Sequence, residues 1–287
     1  MRGRTRPRAG GPAYFAVMAT GQPSGFETIS ENPRYYVDFL DERTTISGER
    51  LAKRIIMDLL DLRDGLSVLD VGSGTGADAI ELAEAVGPDG HVVGLDRSAD
   101  MVAEARRRAA DSGLPVQFVV GDAHALDLPD ESFDRVRTER MLIHLADPQA
   151  AVRELVRVTR PGGLVVASDI DGGTLFFNST NVSLAASLAR RMTDSLAQGW
   201  MGRRQQRYLI ESGLEDVRVV PTVILNTVAF MRITCDRLLR AMIADGTTTA
   251  DAVDDFWAEL DQGERDGWLC SGITCFTVVG RKPSLRG

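Results

Sequence analysis

The sequence predicts an α/β fold: a parallel sheet with helices on both faces, preceded by N-terminal helices and carrying a helical insertion before the last strand. Three observations predict it. Between residues 66 and 170, short apolar runs alternate with segments of helical periodicity, the signature of βαβ units. The first apolar run, VLDVGSGTG, breaks on three glycines and opens straight into the helical ADAIELAEAV. The 287 residues, 44% hydrophobic and 26% charged, suffice to bury one large core or two small ones.

The elements follow in order. Residues 1–27 begin MRGRTRPRAGGP, rich in Arg, Gly and Pro without periodicity, and are expected to be disordered. The apolar piece AYFAVMA is short for a secretory signal, and Met18 is expected to be the natural start. Residues 28–64 form N-terminal lid helices, because RYYVDFL and GERLAKRIIMDLLDL place apolar residues three and four apart. Asp64-Gly65 breaks the pattern, LSVLDVG is a buried strand, and ADAIELAEAV is a helix closed by Gly87-Pro88. HVVGLD is the second strand, and Ser98 caps the helix ADMVAEARRRAADSG. PVQFVVGD and FDRVRTE are the third and fourth strands, PQAAVRELVRVTR a helix, and LVVASDI the fifth strand. The span 65–170 is thus the ligand-binding core, and 171–287 the substrate-side half of the same domain. In that half Thr193 to Gly213 reads as helix, LEDVRVVPTVIL as the sixth strand, about 228–268 as an acidic helical insertion, and GITCFTVVGRK as the seventh strand.

Composition excludes several classes. A net charge of -8 and a pI near 5.0 argue against a nucleic-acid surface. No apolar run approaches the ~20 residues a membrane helix needs. Cys235, Cys270 and Cys275 lack metal-ligand spacing, so no metal is expected, and a reducing cytoplasm fits them best.

The glycine turn brings backbone close to a ligand and offers it the N–H groups and positive dipole end of the next helix. Gly72, Gly74 and Gly76 stand two apart, which fails the dinucleotide spacing, and the Lys-Ser/Thr of a P-loop is missing. Asp96 ends the second strand 24 residues after Gly72, where a carboxylate can accept both hydroxyls of a ribose. Gly121-Asp122-Ala123 ends the third strand, where an adenine edge would lie.

With VLDVGSGTG, GLD, GDAHALDLPDESFD, MLIHLADP and RPGGLVVASD in this order and spacing, the chain resembles class I S-adenosylmethionine-dependent methyltransferases, the small-molecule type 11 group in particular. The resemblance covers residues 50 to 170 strongly and the closing strand weakly. It implies a Rossmann-like seven-stranded sheet and S-adenosyl-L-methionine as cofactor. Asp70, Gly72, Ser73 and Gly74 would hold its methionine part, and Asp96 its ribose. Arg97 and Met101 would flank the adenine, Asp122 and Ala123 would bond its edge, and Glu139 and Arg140 would face the methionine end and the substrate. Tyr35 or Tyr36 would close a lid. Plainer readings stand beside these: Asp70 as a loop-ordering carboxylate, Met101 and the tyrosines as packing.

Methyl transfer is an in-line displacement at a carbon already activated by the sulfonium, so alignment and exclusion of water come first. A base is needed only if the nucleophile must lose a proton early. His144, Asp169 and Asp171 are the catalytic candidates near the strand ends, with packing for His144 and turn formation before Gly172-Gly173 as the alternatives. All three tryptophans, Trp200, Trp257 and Trp268, follow residue 170, as do Phe176, Phe177, Tyr208, Phe230 and Phe256. They suggest an aromatic substrate pocket between sheet and insertion, or else the core of the added helices. Arg203 and Arg204 could hold a substrate anion or form a solvated face. The expectation is a cytoplasmic monomer or homodimer that methylates oxygen, nitrogen or carbon of a small, largely apolar molecule. The alternatives are a non-methylating cyclisation or decarboxylation on the same cofactor, and RNA methylation.

Overall fold

A computed structural model of the chain describes residues 33–43 and 46–284. The expected disordered segment 1–27 and Met18 lie outside the described residues. Two helices lead in, α1 (Pro33–Arg43) and α2 (Ser47–Leu60). The core then alternates β1 (Ser67–Val71), α3 (Ala77–Val86), β2 (His91–Asp96), α4 (Ala99–Ala109), β3 (Val116–Val120), β4 (Phe133–Glu139), α5 (Pro148–Val158) and β5 (Thr159–Phe176). The second half contributes α6 (Val182–Asp194), α7 (Met201–Glu211), β6 (Glu215–Leu225), α8 (Val228–Ala244), α9 (Ala250–Asp266) and β7 (Gly272–Arg281).

The seven strands form one sheet in the order β3-β2-β1-β4-β5-β7-β6. β1 to β5 run parallel, whereas β7 is antiparallel to both β5 and β6. The strand order reverses between β1 and β4, so a crevice opens beyond their carboxyl ends. One apolar layer, centred on Leu69, Val136, Leu155 and Val165, covers one face of the sheet. The other, centred on Ile56, Val68, Leu82 and Val166, covers the opposite face. A separate core of α6, α8 and α9 gathers Leu188, Met231, Phe256 and Trp257.

Local chemistry accounts for the ends. The Ser98 hydroxyl accepts the Met101 N–H at 3.3 Å, the expected cap of α4. Asp147 caps α5 in the same way and Pro148 opens it. Two segments depart from the sequence reading. LVVASDI does not stop at Ile170; β5 runs on to Phe176 with a register shift against β7. The Gly172-Gly173 pair serves packing here, since a Cβ on Gly173 would stand 2.0 Å from the Trp200 ring. The helix expected from Thr193 to Gly213 is broken. α6 ends at Asp194, and Gly199, whose carbonyl accepts the Gly172 N–H at 2.8 Å, interrupts the run before α7. The start of α6 is a cap as well, with Asn181 accepting from the Leu184 N–H.

Candidate active site

The loop after β1 is fixed from below. Gly72, Gly74 and Gly76 all hold positive φ, at 83°, 53° and 79°. The Gly72 and Ser73 N–H groups donate to the Leu95 carbonyl at 2.7 and 3.0 Å, which ties the loop to β2. Asp96, at the end of β2, completes the tie: Oδ2 accepts the Gly74 N–H and Oδ1 the Ser98 N–H, each at 2.9 Å. Burial pushes the Asp96 carboxyl up, and these two N–H donors pull it back. The Ser73 hydroxyl is buried with no hydrogen-bond partner among the described residues.

Behind the loop lies a buried ionic cluster that the sequence reading missed. Asp70 on β1 stands opposite Arg137 on β4 in the strand register, and Arg137 Nε lies 3.2 Å from its carboxylate. Arg137 Nη2 also reaches Asp78 on α3 at 3.1 Å and Glu139 at 2.8 Å. Lys53 on α2 pairs with Asp78, and Arg43 at the end of α1 donates to Glu139 at 3.0 Å. Burial pushes the Asp70 carboxyl up to about 6 despite Arg137. Burial opposes ionisation of Asp78 too, but Arg137 and Lys53 outweigh it and hold that carboxyl far below its ordinary range. Burial disfavours the Arg137 cation, and its three carboxylates more than compensate. An alternating strand pattern cannot reveal such a cluster; an Arg in FDRVRTE reads simply as a polar strand position.

Two cavities meet at this cluster. The first, about 660 Å³, is lined by Gly72, Ser73, Gly74 and Thr75 of the loop, with Lys53, Asp78 and Arg137 among the charged walls. The second, about 1100 Å³, is chiefly apolar and runs under α8, with Ile143, Ile170, Leu175, Phe177 and Phe230 in its wall. Arg43 and Arg140 line both. Helix α1 spans the two mouths: Leu40 and Asp41 line the smaller, and Phe39 stacks on Phe230 over the larger at 6.1 Å between ring centroids. Asp41 on α1 is clamped to Arg108 of α4 at 2.9 and 3.0 Å. Tyr36 is buried in this region of α1, while the Tyr35 side chain lies outside what is described.

The remaining predicted residues fall as follows. Arg97 is exposed beside Asp96, and the Met101 side chain is buried. Asp122 is largely exposed, and its Oδ1 takes both the backbone N–H of His124 and its ring Nδ1, at 2.9 and 2.7 Å. Ala123 is buried just behind it. His144 lines the larger cavity from a short turn, Leu142–His144. Burial, aided by Arg140 and Arg43, drives its imidazole down to about 3, so it is neutral at physiological pH. Asp169 is fully buried, and burial carries its carboxyl up to about 8 although Arg140 and the Ile143 and Leu142 N–H groups favour the anion.

Asp171 departs from its expected place at the substrate. It is fully buried, and Arg203 holds both of its oxygens, Nε at 2.6 Å and Nη2 at 2.7 Å, with the Arg203 backbone N–H adding a third bond. The same pairing removes Arg203 as a binder of substrate anions; its guanidinium also lies 4.6 Å from the Trp200 ring. The aromatic expectation divides. Phe177 and Phe230 face the larger cavity, with Phe39 of α1 as a third aromatic wall. Trp257 and Phe256 belong to the helical core, and Trp268 is partly exposed against Gly263. Among the described residues, no three or more His, Cys, Asp or Glu form a group that could hold a metal, and no helix is long and apolar enough to cross a membrane.

The fold is that of class I methyltransferases, and comparison with known proteins agrees. A methyltransferase-domain family matches residues 62–212, and the chain belongs to it, within the S-adenosylmethionine-dependent class. A 37.1 kDa protein in transposon TN4556 of Streptomyces fradiae is 40% identical over 196 residues, 68% of this chain and 55% of that protein. The ubiquinone/menaquinone biosynthesis C-methyltransferase UbiE of Hahella chejuensis is 31% identical over 201 residues, 69% of this chain and 80% of its own. The chain thus spans little more than half of the first relative and most of the second. Among solved structures, the YcgJ protein of Bacillus subtilis superimposes with a TM-score of 0.57 at 19% identity, over 82% of this chain and 99% of that one. The [4+2]-cyclase SpnF superimposes with a TM-score of 0.53 at 23% identity, over 81% and 80%. These two likenesses establish the shared fold.

Proposed function

We propose that this chain binds S-adenosylmethionine in the glycine-loop cavity and transfers its methyl group to a small, largely apolar molecule held in the larger cavity. The observation that carries the reading is the meeting of the two cavities at Arg43 and Arg140, one charged and cradled by backbone, the other apolar and closed by α8. The residues fit the cofactor. The walls of the smaller cavity carry both signs of charge, as a zwitterionic amino-acid end requires, and the unpartnered Ser73 hydroxyl offers it a bond. Asp96 keeps acceptor capacity beyond its two N–H bonds, enough for a ribose diol.

In this reading Asp70, Gly72, Ser73, Gly74 and Glu139 hold the methionine end. Asp96 takes the ribose, Arg97, Met101, Asp122 and Ala123 bound the adenine, and Tyr36 steadies the lid helix. When bound, the cofactor supplies a methyl group already activated by a sulfonium. The protein aligns the acceptor and keeps water away. His144, neutral in the cavity wall, orients the acceptor by a hydrogen bond; a base whose conjugate acid titrates near 3 removes few protons at neutral pH. Asp169, protonated at that pH, acts behind the wall. The acidic charge balance and free cysteines support action in the cytoplasm without nucleic acid or membrane. A monomer or homodimer is the simplest assembly.

The test is incubation with methyl-deuterated S-adenosylmethionine and a panel of apolar acceptors. S-adenosylhomocysteine together with a product carrying the heavy methyl supports the proposal. The likeness to a [4+2]-cyclase gives the second reading its one support. An isomerised product with no loss of cofactor would favour that reading instead.

A further inference from the structure

The wall shared by the two cavities carries charge that the proposed methyl transfer does not use. Arg140 follows β4 with φ at 54°, a left-handed conformation rare for a residue with a side chain. Its N–H donates to the Ser168 carbonyl at 2.8 Å, which locks the turn and fixes where the guanidinium goes. That guanidinium is buried. Nη2 donates to Glu49 at 2.7 Å, but Nε has no hydrogen-bond partner among the described residues. Arg43 repeats the pattern: Nη2 donates to Glu139 at 3.0 Å, while its buried Nε reaches Glu49 only at 3.9 Å and makes no hydrogen bond among the described residues. Arg43 Nε thus faces Glu49 Oε2, itself without a hydrogen-bond partner among the described residues, so it is the Arg140 Nε–H that lacks an acceptor, and such a group is costly unless a ligand supplies one.

The lining of the larger cavity holds one more cation than anion. Its ionised lining groups are Arg43, Arg140 and Glu49, a net charge of +1. Glu49 is buried but ionised, because Arg140 and Arg43 outweigh the effect of burial. His144 is neutral and Asp169, behind the wall, is protonated, but Glu139, paired with Arg43 at 3.0 Å just outside this lining, offsets the excess. The rest of the cavity is chiefly apolar, where a hydrogen bond from a guanidinium to an anionic oxygen is strong.

We infer that the substrate is an oxygen acid on an apolar body, and that its anionic oxygen accepts the free Nε–H of Arg140 at the boundary between the two cavities. A carboxylate, phenolate or enolate meets this requirement; a neutral alcohol accepts the same N–H more weakly, and an ammonium group cannot accept it. Arg140 is then the positioning residue that sets the acceptor atom against the methyl group, and Arg43 supports it from the lid helix. This inference rests on the assignment of the larger cavity to the substrate and of the smaller one to the cofactor.

Three probes with one apolar body test it: 2-naphthoate, 2-naphthylmethanol and 2-naphthylmethylamine, titrated calorimetrically into the full chain with S-adenosylhomocysteine present. Naphthoate should bind ~10-fold tighter than the alcohol, with the amine weakest. Arg140→Gln should abolish that preference while S-adenosylhomocysteine affinity changes less than about threefold. Glu49→Gln, which removes the only anion lining the cavity among the described residues, should widen the preference. Equal binding of naphthoate and alcohol by the wild type would overturn the inference without any variant, so a poorly folded Arg140→Gln leaves it falsifiable. Loss of naphthoate and S-adenosylhomocysteine together in Arg140→Lys or Arg140→Gln would assign Arg140 to the cofactor and also overturn it. Absence of S-adenosylhomocysteine binding to the wild type would instead refute the underlying cofactor assignment.

Discussion

Replacing Arg137 by Met should destabilise the fold in a way that depends on pH. Arg137 is buried and touches three carboxylates, at 3.2 Å for Asp70, 3.1 Å for Asp78 and 2.8 Å for Glu139. In the variant Asp78 keeps Lys53 and Glu139 keeps Arg43, but Asp70 has no other ion-pair partner among the described residues. Removing one partner of a buried pair costs about 3–5 kcal/mol, which lowers Tm by roughly 10 °C in a chain of this size. The sign with pH follows from Asp70. Its folded carboxyl titrates near 6 with Arg137 present and must titrate higher without it, while the unfolded group titrates near 3.8. A raised folded value means that the folded state binds the extra proton, so this contribution to stability is lost as pH rises from the unfolded towards the folded value. The wild type should finish that loss near pH 6. The variant should go on losing about 1.4 kcal/mol per pH unit above it. Urea unfolding at pH 6 and pH 8 measures both terms, and Arg137→Met combined with Asp70→Asn should recover at least about 2 kcal/mol at pH 8. A penalty below about 1 kcal/mol, or one that shrinks between pH 6 and pH 8, would refute the reasoning.

Two further predictions do not involve Arg137. His144 should show no titration between pH 5 and 8 in a histidine-detected NMR experiment, because its imidazole is driven down to about 3, and a midpoint near 6.5 would place it in water rather than in the cavity wall. Gly76→Ala should cost well over the ~1–2 kcal/mol of a left-handed alanine, because its Cβ would stand 2.7 Å from Ala105 and Phe118, whereas Gly113→Ala, with no atom within 4 Å, should cost only the backbone term; equal midpoints in urea would contradict that difference.

The fold was legible where one segment carried its own signal. The five core strands, the helices between them and the Ser98 cap are written in local periodicity and turn residues, and FDRVRTE became β4 without adjustment. The same is true of the glycine loop and Asp96, whose tie to Gly74 follows from adjacency of β1 and β2. What failed depended on distant partners. Nothing near Gly173 announces that Trp200 will cover it and carry β5 past Asp171. Nothing near Asp171 announces Arg203, although both were singled out separately for anion or substrate binding. The site charges were half visible. Asp70 and Glu139 stand in recognisable motifs, but Arg43, Glu49 and Lys53 come from helices that read as an amphipathic lead-in. Only the sheet register and the packing of α2 bring them together with Arg137 and Arg140. Of the three tryptophans, Trp257 takes the second of the two expected roles, the core of the added helices, as large aromatic residues often do.

The central claim is that the glycine loop and Asp96 form a binding site for S-adenosylmethionine. The most direct measurement is calorimetric titration of the full chain with S-adenosylhomocysteine, repeated with Asp96→Ala. The account predicts a one-to-one complex with Kd on the order of micromolar in the wild type, weakened by ~10-fold or more in the variant. Binding that survives Asp96→Ala unchanged, or no heat of binding to the wild type at millimolar ligand, would contradict it.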